Sequence, residues 1–120
     1  MIKTQNSKQY DLEDRTLKFA REVRDFVRKL PQALANMEDG KQLIKSSGSV
    51  GANYIESNES LSKKDFAMRI KISRKEAKES HYWLKLVRTN TDSLEKERKN
   101  LVQEAMELTK IFGSIVEKTK

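Results

Sequence analysis

The sequence predicts an all-α protein that folds as an antiparallel up-down-up-down four-helix bundle. Apolar residues recur at three- and four-residue steps in four successive segments, and no segment alternates apolar and polar residues as a half-buried strand does. Only one proline and four glycines interrupt the 120 residues. The connections between segments are short, which places consecutive helices antiparallel. We expect one domain, residues 1–120, in which residues 1–10 form a flexible tail.

The first helix is expected from about Asp11 to Leu30, where apolar residues repeat on a single face. Pro31 follows, and proline lacks the amide donor that a continuing helix requires. A second helix is expected to begin near Asp39. Asp39 and Gln42 match an N-cap residue and the partner that returns its hydrogen bond from three positions later.

Small residues mark the middle of the second helix. Gly48 and Gly51 lie three residues apart, on or beside its predicted buried side. Glycine inside a helix costs about 1 kcal/mol relative to alanine, so a pair of them needs a structural reason. We expect another backbone to approach closely at this point; a kink or a bulge is the alternative.

The third and fourth helices have recognisable first turns. Ser62 is placed to cap the third helix, with Asp65 in its first turn, where a carboxylate complements the helix dipole. That helix is expected to continue to Arg88. After a short turn, Asp92 and Glu95 repeat the capping pattern and begin the fourth helix.

Basic side chains cluster on one face of the third helix, where eight of them fall inside an arc of roughly 140°. Residues 61–120 carry fifteen Lys and Arg against nine Asp and Glu, a balance of +6, whereas residues 1–60 carry ten against nine. Such a surplus favours nucleic acid, anionic lipid or an acidic protein as partner, and it also occurs as a plain solvated surface. The predicted nucleic-acid-binding residues are Lys63, Lys64, Lys71, Arg74, Lys75, Lys78, Lys85 and Arg88.

Charged side chains also lie within or beside the apolar face of the third helix. Such groups are stable at a helix interface only when they are paired, because an unpaired buried charge costs several kcal/mol, roughly 3 to 5. We therefore expect a linked polar network between the second and third helices. Its role is either recognition or the setting of helix register and subunit geometry. Its predicted members are Asn53, Glu56, Arg69 and Glu76.

Apolar residues of the third helix spread over roughly 200°, against about 100° for an ordinary amphipathic helix. The helix is therefore expected to bury two flanks. One flank packs in the bundle, and the other, marked by Ile72, Glu79 and Trp83, packs against a second subunit or a partner protein. Self-assembly is the preferred interpretation. The alternative is a central helix that packs against two neighbours within one chain.

The residues that catalysis and metal binding require are sparse. Cysteine is absent, which excludes disulfides, thiolate nucleophiles and thiolate metal sites. The single histidine, His81, projects onto the basic face, and Lys78 stands where a diiron bundle needs a glutamate. No segment has the apolar length of a signal peptide or a membrane span. We expect a cytoplasmic protein without enzymatic activity, cofactor, metal or membrane partner.

Several segments together resemble a known family. In their order and spacing they resemble the bacterial four-helix-bundle family of 23S ribosomal RNA intervening-sequence proteins, over nearly the whole chain. Ser57 departs from the small Ala or Gly that relatives often carry, which affects local packing only. The segments that carry the resemblance are residues 30–31 (LP), 49–56 (SVGANYIE), 62–66 (SKKDF), 71–72 (KI), 75–79 (KEAKE) and 82–84 (YWL).

The resemblance implies an up-down bundle that assembles as a ring, with a pentamer suggested. The fold is also similar to the accessory protein of diversity-generating retroelements, a basic pentameric barrel that engages nucleic acid and a reverse transcriptase. No catalytic role is implied. The positions that match the family motif are Asn53, Glu56, Asp65, Lys71, Lys75, Glu76, Glu79, Tyr82 and Trp83.

The sequence thus predicts a non-enzymatic homo-oligomer that binds RNA or DNA electrostatically through the basic face of its third helix. The alternative function is a protein-interaction scaffold or accessory subunit with no nucleic-acid binding of its own. Both functions are compatible with the same fold. They differ in whether the basic face binds the phosphates of a nucleic acid.

Overall fold

Four helices account for most of the chain in the computed structural model. The structure describes the backbone of residues 2–120 and the side chains of residues 12–120. The helices are α1 (Ile2–Arg28), α2 (Leu34–Asn58), α3 (Lys63–Leu86) and α4 (Asp92–Lys118). Connections of four or five residues join them, and connections this short keep consecutive helices antiparallel. The predicted all-α four-helix bundle is confirmed, with extents of 46 × 27 × 19 Å.

Each helix packs against its neighbours in sequence, and α1 closes the bundle against α4. The contacts of α3 with α2 and with α4 are the most extensive, whereas those between α1 and α4 are the sparsest. Side chains from all four helices meet in one apolar core. Its largest fully buried members are Phe19, Phe26, Phe112, Leu43, Ile70, Leu84 and Leu108.

Serine side chains line the contact between α2 and α3. Ser73 is fully buried, and its hydroxyl donates to the carbonyl oxygen of Val50 at 2.9 Å. The hydroxyl oxygens of Ser46 and Ser80 lie 2.8 Å apart in a second hydrogen bond across the contact. Small side chains with satisfied hydroxyls let two helices pack closely at little cost. Because α3 buries this side, its basic side chains are left on the outside.

Gly51 lies where α1 approaches α2. A β-carbon at Gly51 would lie 2.8 Å from Oγ1 of Thr16 and 3.8 Å from the carbonyl carbon of Thr16. The predicted close approach is therefore confirmed at Gly51, and α2 runs through both glycines as one helix. Gly48 faces a side chain instead, because its β-carbon would lie 3.2 Å from the guanidinium of Arg24.

The first helix begins earlier than the sequence predicted. It starts at Ile2 and not near Asp11, so the helical backbone continues through the segment that was expected to be a tail. The predicted flexibility of residues 1–10 stays a prediction, since the side chains before Leu12 lie outside the described residues.

The second helix also begins earlier, at Leu34, with Ala33 as an N-cap residue that makes no side-chain cap bond. The predicted N-cap at Asp39 is therefore wrong. Asn36 explains the difference: it is buried in the first turn of α2, where its side chain donates to the carbonyl oxygen of Pro31 at 3.1 Å. A contact with the preceding loop thus fixes the first turn, and the local capping pattern does not.

The caps of α3 and α4 differ in how well they were predicted. Ser62 accepts a hydrogen bond from the amide of Asp65 at 3.0 Å, so the predicted cap of α3 is confirmed. At α4 the cap is Thr91, whose hydroxyl accepts from the amide of Leu94 at 3.1 Å. The predicted N-cap, Asp92, is instead the first helical residue.

Candidate nucleic-acid interface

The outer face of α3 carries most of the predicted basic residues. Helices rise about 1.5 Å per residue, so the stretch from Lys71 to Lys85 extends over about 21 Å. Arg74 is half-buried at the edge of this face. The remaining seven members are all exposed: Lys63, Lys64, Lys71, Lys75, Lys78, Lys85 and Arg88.

Neighbouring residues hold two members of this basic face in place. The Cδ atom of Arg74 lies 3.6 Å from the position of a β-carbon on Gly113, so Arg74 packs across α4. Nζ of Lys75 lies 3.6 Å from Oε2 of Glu76, a surface pair that contributes at most about 1 kcal/mol. Of the eight basic residues, Lys75 alone has an acidic partner within residues 12–120. The positive charge of the face is therefore largely uncompensated.

A shallow groove of about 430 Å³ lies on the outer surface of α3. The rings of Tyr82 and Trp83 meet edge to face there, with centroids 5.0 Å apart. Trp83 packs against the core, while Tyr82 is 58% exposed. Glu79 adds a carboxylate among the cations. The lining residues all belong to α3: Lys71, Arg74, Lys75, Lys78, Glu79, Tyr82 and Trp83.

The sequence reasoning missed a second concave site, between α3 and α4. This crevice has a volume of about 450 Å³. Its α4 wall includes Lys99, Val102 and Met106, whose three- and four-residue spacing is a signal that marks one flank of a helix. The facing wall belongs to α3. The lining residues are His81, Lys85, Glu95, Arg98, Lys99, Val102, Gln103 and Met106.

The acid and the arginine of this crevice already have partners. Glu95 accepts hydrogen bonds from Arg98 and from Oγ1 of Thr89, the latter at 2.8 Å. These bonds, that from Arg98 foremost, lower the pKa of Glu95. Arg98 also donates to the carbonyl oxygen of Val87, which closes the C-terminal end of α3. Since Glu95 is neutralised by Arg98, the remaining charge in the crevice is positive.

His81 forms part of the α3 wall of the crevice and is half-buried. Burial, and to a lesser extent the charge of Lys85, lower its pKa. An imidazole with a lowered pKa is mainly neutral at pH 7. The ring therefore presents a flat face together with one donor and one acceptor nitrogen.

The structure brings together two of the four residues of the predicted polar network. Nη1 of Arg69 donates to Oδ1 of Asn53 at 3.2 Å, across the contact between α3 and α2. Glu76 lies beside Lys75 instead. Glu56 is exposed, and among the described side chains it makes no hydrogen bond or ion pair with the other three. The described contacts therefore form a pair across the helices, and the wider network stays a prediction.

The residues predicted for a subunit interface lie along α3. Ile72 and Trp83 are half-buried, and Glu79 is exposed. Met68 and Leu86, on the same outward side, are 47% and 45% exposed. The bundle thus leaves an apolar strip accessible beside the basic face, and such strips often mark contacts with other molecules.

Two structural features are absent from the described part of the chain, a cluster of metal-binding side chains and a helix able to cross a membrane. Within it, no group of three or more His, Asp or Glu side chains is placed to hold a metal ion. None of the described helices combines the length and the apolar character that crossing a membrane requires. The described residues of α3 and α4 form a basic helix face, an apolar strip and a basic crevice.

The fold and these surfaces define a basic four-helix bundle. Its third helix packs against α2 and α4 and exposes a basic face. The chain belongs to the 23S rRNA-intervening sequence protein family, whose model matches residues 8–114. It is similar to a crystal structure of a protein of unknown function from the S23 ribosomal protein family of Bacteroides thetaiotaomicron, with 28% sequence identity and a TM-score of 0.76. That match covers 87% of this chain and 96% of the other. The comparison with curated proteins finds no match.

Proposed function

We propose that this protein is a non-enzymatic, cytoplasmic homo-oligomer that binds nucleic acid through the basic face of α3. The observation that carries the proposal is the set of seven exposed cations, six on α3 and Arg88 in the turn after it, of which only Lys75 has an acidic partner among the described side chains. Cations without acidic partners attract phosphate at long range and release bound counterions on contact. The ligand is RNA or DNA.

The mechanism is charge matching along a rigid helix. If about five cations each neutralise one phosphate, the slope of log affinity against log salt is roughly −4 to −5 on duplex DNA. Affinity then falls several hundredfold between about 50 and 200 mM salt. Contacts to phosphate position a protein and carry no sequence information, so binding through this face alone is independent of sequence.

Assembly of several subunits would multiply these weak contacts. The apolar strip that includes Ile72 and Trp83 supports a contact with a second copy, and Glu79 adds a polar group to it. In a ring, each further basic face binds the same strand at a high effective concentration, which raises avidity without new contacts. The pentamer implied by the family resemblance is the expected assembly.

The family description favours RNA as the first ligand to test. It ties the family to intervening sequences of 23S rRNA, and the related crystal structure belongs to the S23 ribosomal protein family. Both descriptions associate these proteins with ribosomal RNA genes or ribosomes without stating what they bind. Structured RNA is therefore compared with a DNA duplex of equal length.

A protein-interaction scaffold is the second candidate function. The exposed aromatic ring of Tyr82 and the accessible side chains of Met68 and Leu86 favour it. A protein partner would bind this apolar strip and depend on it more than on the lysines. Removal of basic residues therefore separates the two candidates.

The test is a salt titration of binding with two matched triple variants. Lys71→Gln, Lys75→Gln and Lys78→Gln remove three exposed cations from the basic face, and each lost phosphate contact reduces the salt slope by about 1. The control variant carries Arg21→Gln, Lys41→Gln and Lys45→Gln, an equal charge loss at exposed positions on α1 and α2. Nucleic-acid binding that weakens equally in both variants would contradict the proposed face.

A further inference from the structure

The crevice between α3 and α4 adjoins the basic face and differs from it in chemistry. Its floor is apolar, formed by half-buried Val102 and by Met106, which is 37% exposed. Its rim carries Lys85 and Lys99, both exposed. His81 contributes a half-buried ring to one wall. An apolar slot beside cations suits a ligand with a flat apolar part and an anionic part.

The charges of the crevice are arranged for an anion. Glu95 is held by Arg98 and Thr89, so its carboxylate is neutralised. Lys85 has no acidic partner among the described side chains, and Lys99 adds a second positive charge near Glu95. The groove on the outer face of α3 differs, because Glu79 lies there with no cation paired to it among residues 12–120. In the crevice the carboxylate is already hydrogen-bonded, so a phosphate can approach Lys85 and Lys99 without an unpaired carboxylate beside it.

The dimensions and walls of the crevice suit one nucleotide. Its volume of about 450 Å³ lies in the usual range of small-molecule sites, about 300 to 1,000 Å³. Proteins that bind single strands stack unpaired bases on flat side chains, histidine included, and bind the phosphates with cations. A base inside a duplex is already stacked on its neighbours, so it is not available to such a slot.

We propose that this crevice binds one unpaired nucleotide of a strand, with its base against His81 and Met106 and its phosphate on Lys85 and Lys99. This inference rests on the proposed function, because the basic face of α3 would hold the rest of the strand. It adds a preference that charge alone does not give. A single strand or a loop can place a base in the crevice and a duplex cannot, so changes in the crevice weaken single-strand binding selectively.

The test compares two probes, a single-stranded oligoadenylate and an RNA duplex of the same length. Loss of one base-stacking contact on an aromatic ring weakens single-strand binding by about 5- to 150-fold, so His81→Ala is expected to do so. Met106→Ala removes an apolar contact from the floor of the crevice and is expected to weaken single-strand binding by a smaller factor. Binding of the duplex is expected to change less than about twofold. Met37→Ala is the matched control, because Met37 is a methionine of α2 that is 53% exposed, and both probes should bind that variant normally.

A second histidine variant separates stacking from hydrogen bonding by the ring nitrogens. His81→Phe keeps a flat ring and removes the ring nitrogens, so it is expected to retain single-strand binding that His81→Ala loses. Thermal unfolding of each variant, followed by circular dichroism, establishes that the bundle is intact. If a change at the half-buried histidine disturbs folding, Met106→Ala replaces it in the comparison of the two probes.

Four outcomes overturn the inference. Folded His81→Ala and Met106→Ala proteins that bind the oligoadenylate normally would remove the crevice from the binding surface. Equal weakening of both probes would assign the effect to general electrostatics. If the unaltered protein binds neither probe at low salt, the proposed function fails with it. Steep, salt-dependent binding of both probes that His81→Ala leaves unchanged overturns only the crevice.

Discussion

Asn36 and Arg88 are joined by two hydrogen bonds of opposite direction. Nδ2 of Asn36 donates to the carbonyl oxygen of Arg88 at 2.9 Å, and the amide nitrogen of Arg88 donates to Oδ1 of Asn36 at 2.9 Å. The side chain of Asn36 therefore bonds to the backbone as a second chain would, and it ties the start of α2 to the turn between α3 and α4. This turn carries the last residue of the basic face, so the contact also positions part of the candidate site.

Asn36→Ala is expected to destabilise the bundle by about 2 to 4 kcal/mol, because it leaves several backbone groups without partners at a buried position. Asn36 is only 5% exposed, and its amide also donates to the carbonyl oxygen of Pro31. Urea unfolding measures the change. The control is Gln32→Ala, at an exposed position in the connection between α1 and α2. An Asn36→Ala protein as stable as this control would contradict the importance of the contact.

Most of the fold could be predicted from the sequence, because helical periodicity depends on neighbours in sequence. The buried seam of α3, from Ile70 to Leu84, followed directly from spacing. The predicted start of α2 was wrong, because the side chain of Asn36 finds its hydrogen-bond partners in residues distant in the chain. Local capping patterns carry no information about such partners. The basic face was identifiable for the same reason as the seam.

The candidate site was less predictable than the fold. Beside the crevice, Thr89, Glu95 and Arg98 form a hydrogen-bonded group that covers the C-terminal end of α3. One wall of the crevice belongs to α3 and the other to α4. Pairwise spacing within one helix does not predict which flanks will face each other. The link between Asn53 and Arg69 was expected, whereas Glu76 beside Lys75 was not.

Two glycines in helix interiors should respond oppositely to alanine. Gly51→Ala is expected to destabilise the protein, because the new β-carbon would lie 2.8 Å from Oγ1 and 3.0 Å from Cβ of buried Thr16. Gly113→Ala places its β-carbon 3.6 Å from Cδ of Arg74, which is an ordinary contact. Because alanine has the higher helix propensity, this change should stabilise the protein by about 0.5 to 1 kcal/mol. Thermal unfolding compares the two variants.

The double variant Gly51→Ala, Thr16→Ala supplies the control for this steric argument. Removal of the threonine side chain frees the space that the new methyl group needs, although the hydroxyl bond to the carbonyl oxygen of Glu13 is lost. The double variant is therefore expected to lose less stability than the sum of the two single changes. Additive losses would show that the contact between α1 and α2 is not the cause.

Acid should destabilise the bundle in part through Glu95. Hydrogen bonds from Arg98, and then from Thr89, lower the pKa of Glu95 below its ordinary value of 4.5. Between the folded and the unfolded pKa, the unfolded chain binds more protons, so stability rises with pH across that window. The contribution is complete above the ordinary pKa and is lost as the pH falls through the lowered value.

Urea unfolding at a series of acidic pH values measures this contribution of Glu95. Glu95→Gln is expected to flatten the pH dependence of the unfolding midpoint, because it removes the titrating carboxyl group. Thr89→Ala removes only one of the two donors and should flatten it less. A Glu95→Gln protein with the pH dependence of the unaltered chain would assign the acid sensitivity to other carboxyl groups, of which Glu107 also has a lowered pKa.

A charge on the apolar strip of α3 should separate assembly from folding. Ile72 is half-buried on the outward side of α3, so Ile72→Glu is expected to leave the single bundle folded while it disrupts a contact with a second copy. Sedimentation is expected to show a smaller particle, and nucleic-acid binding should weaken by about 100-fold or more as avidity is lost. Ile55→Glu, at an α2 position that is 52% exposed, should change neither. A folded Ile72→Glu protein of unchanged mass would exclude this strip as the subunit contact.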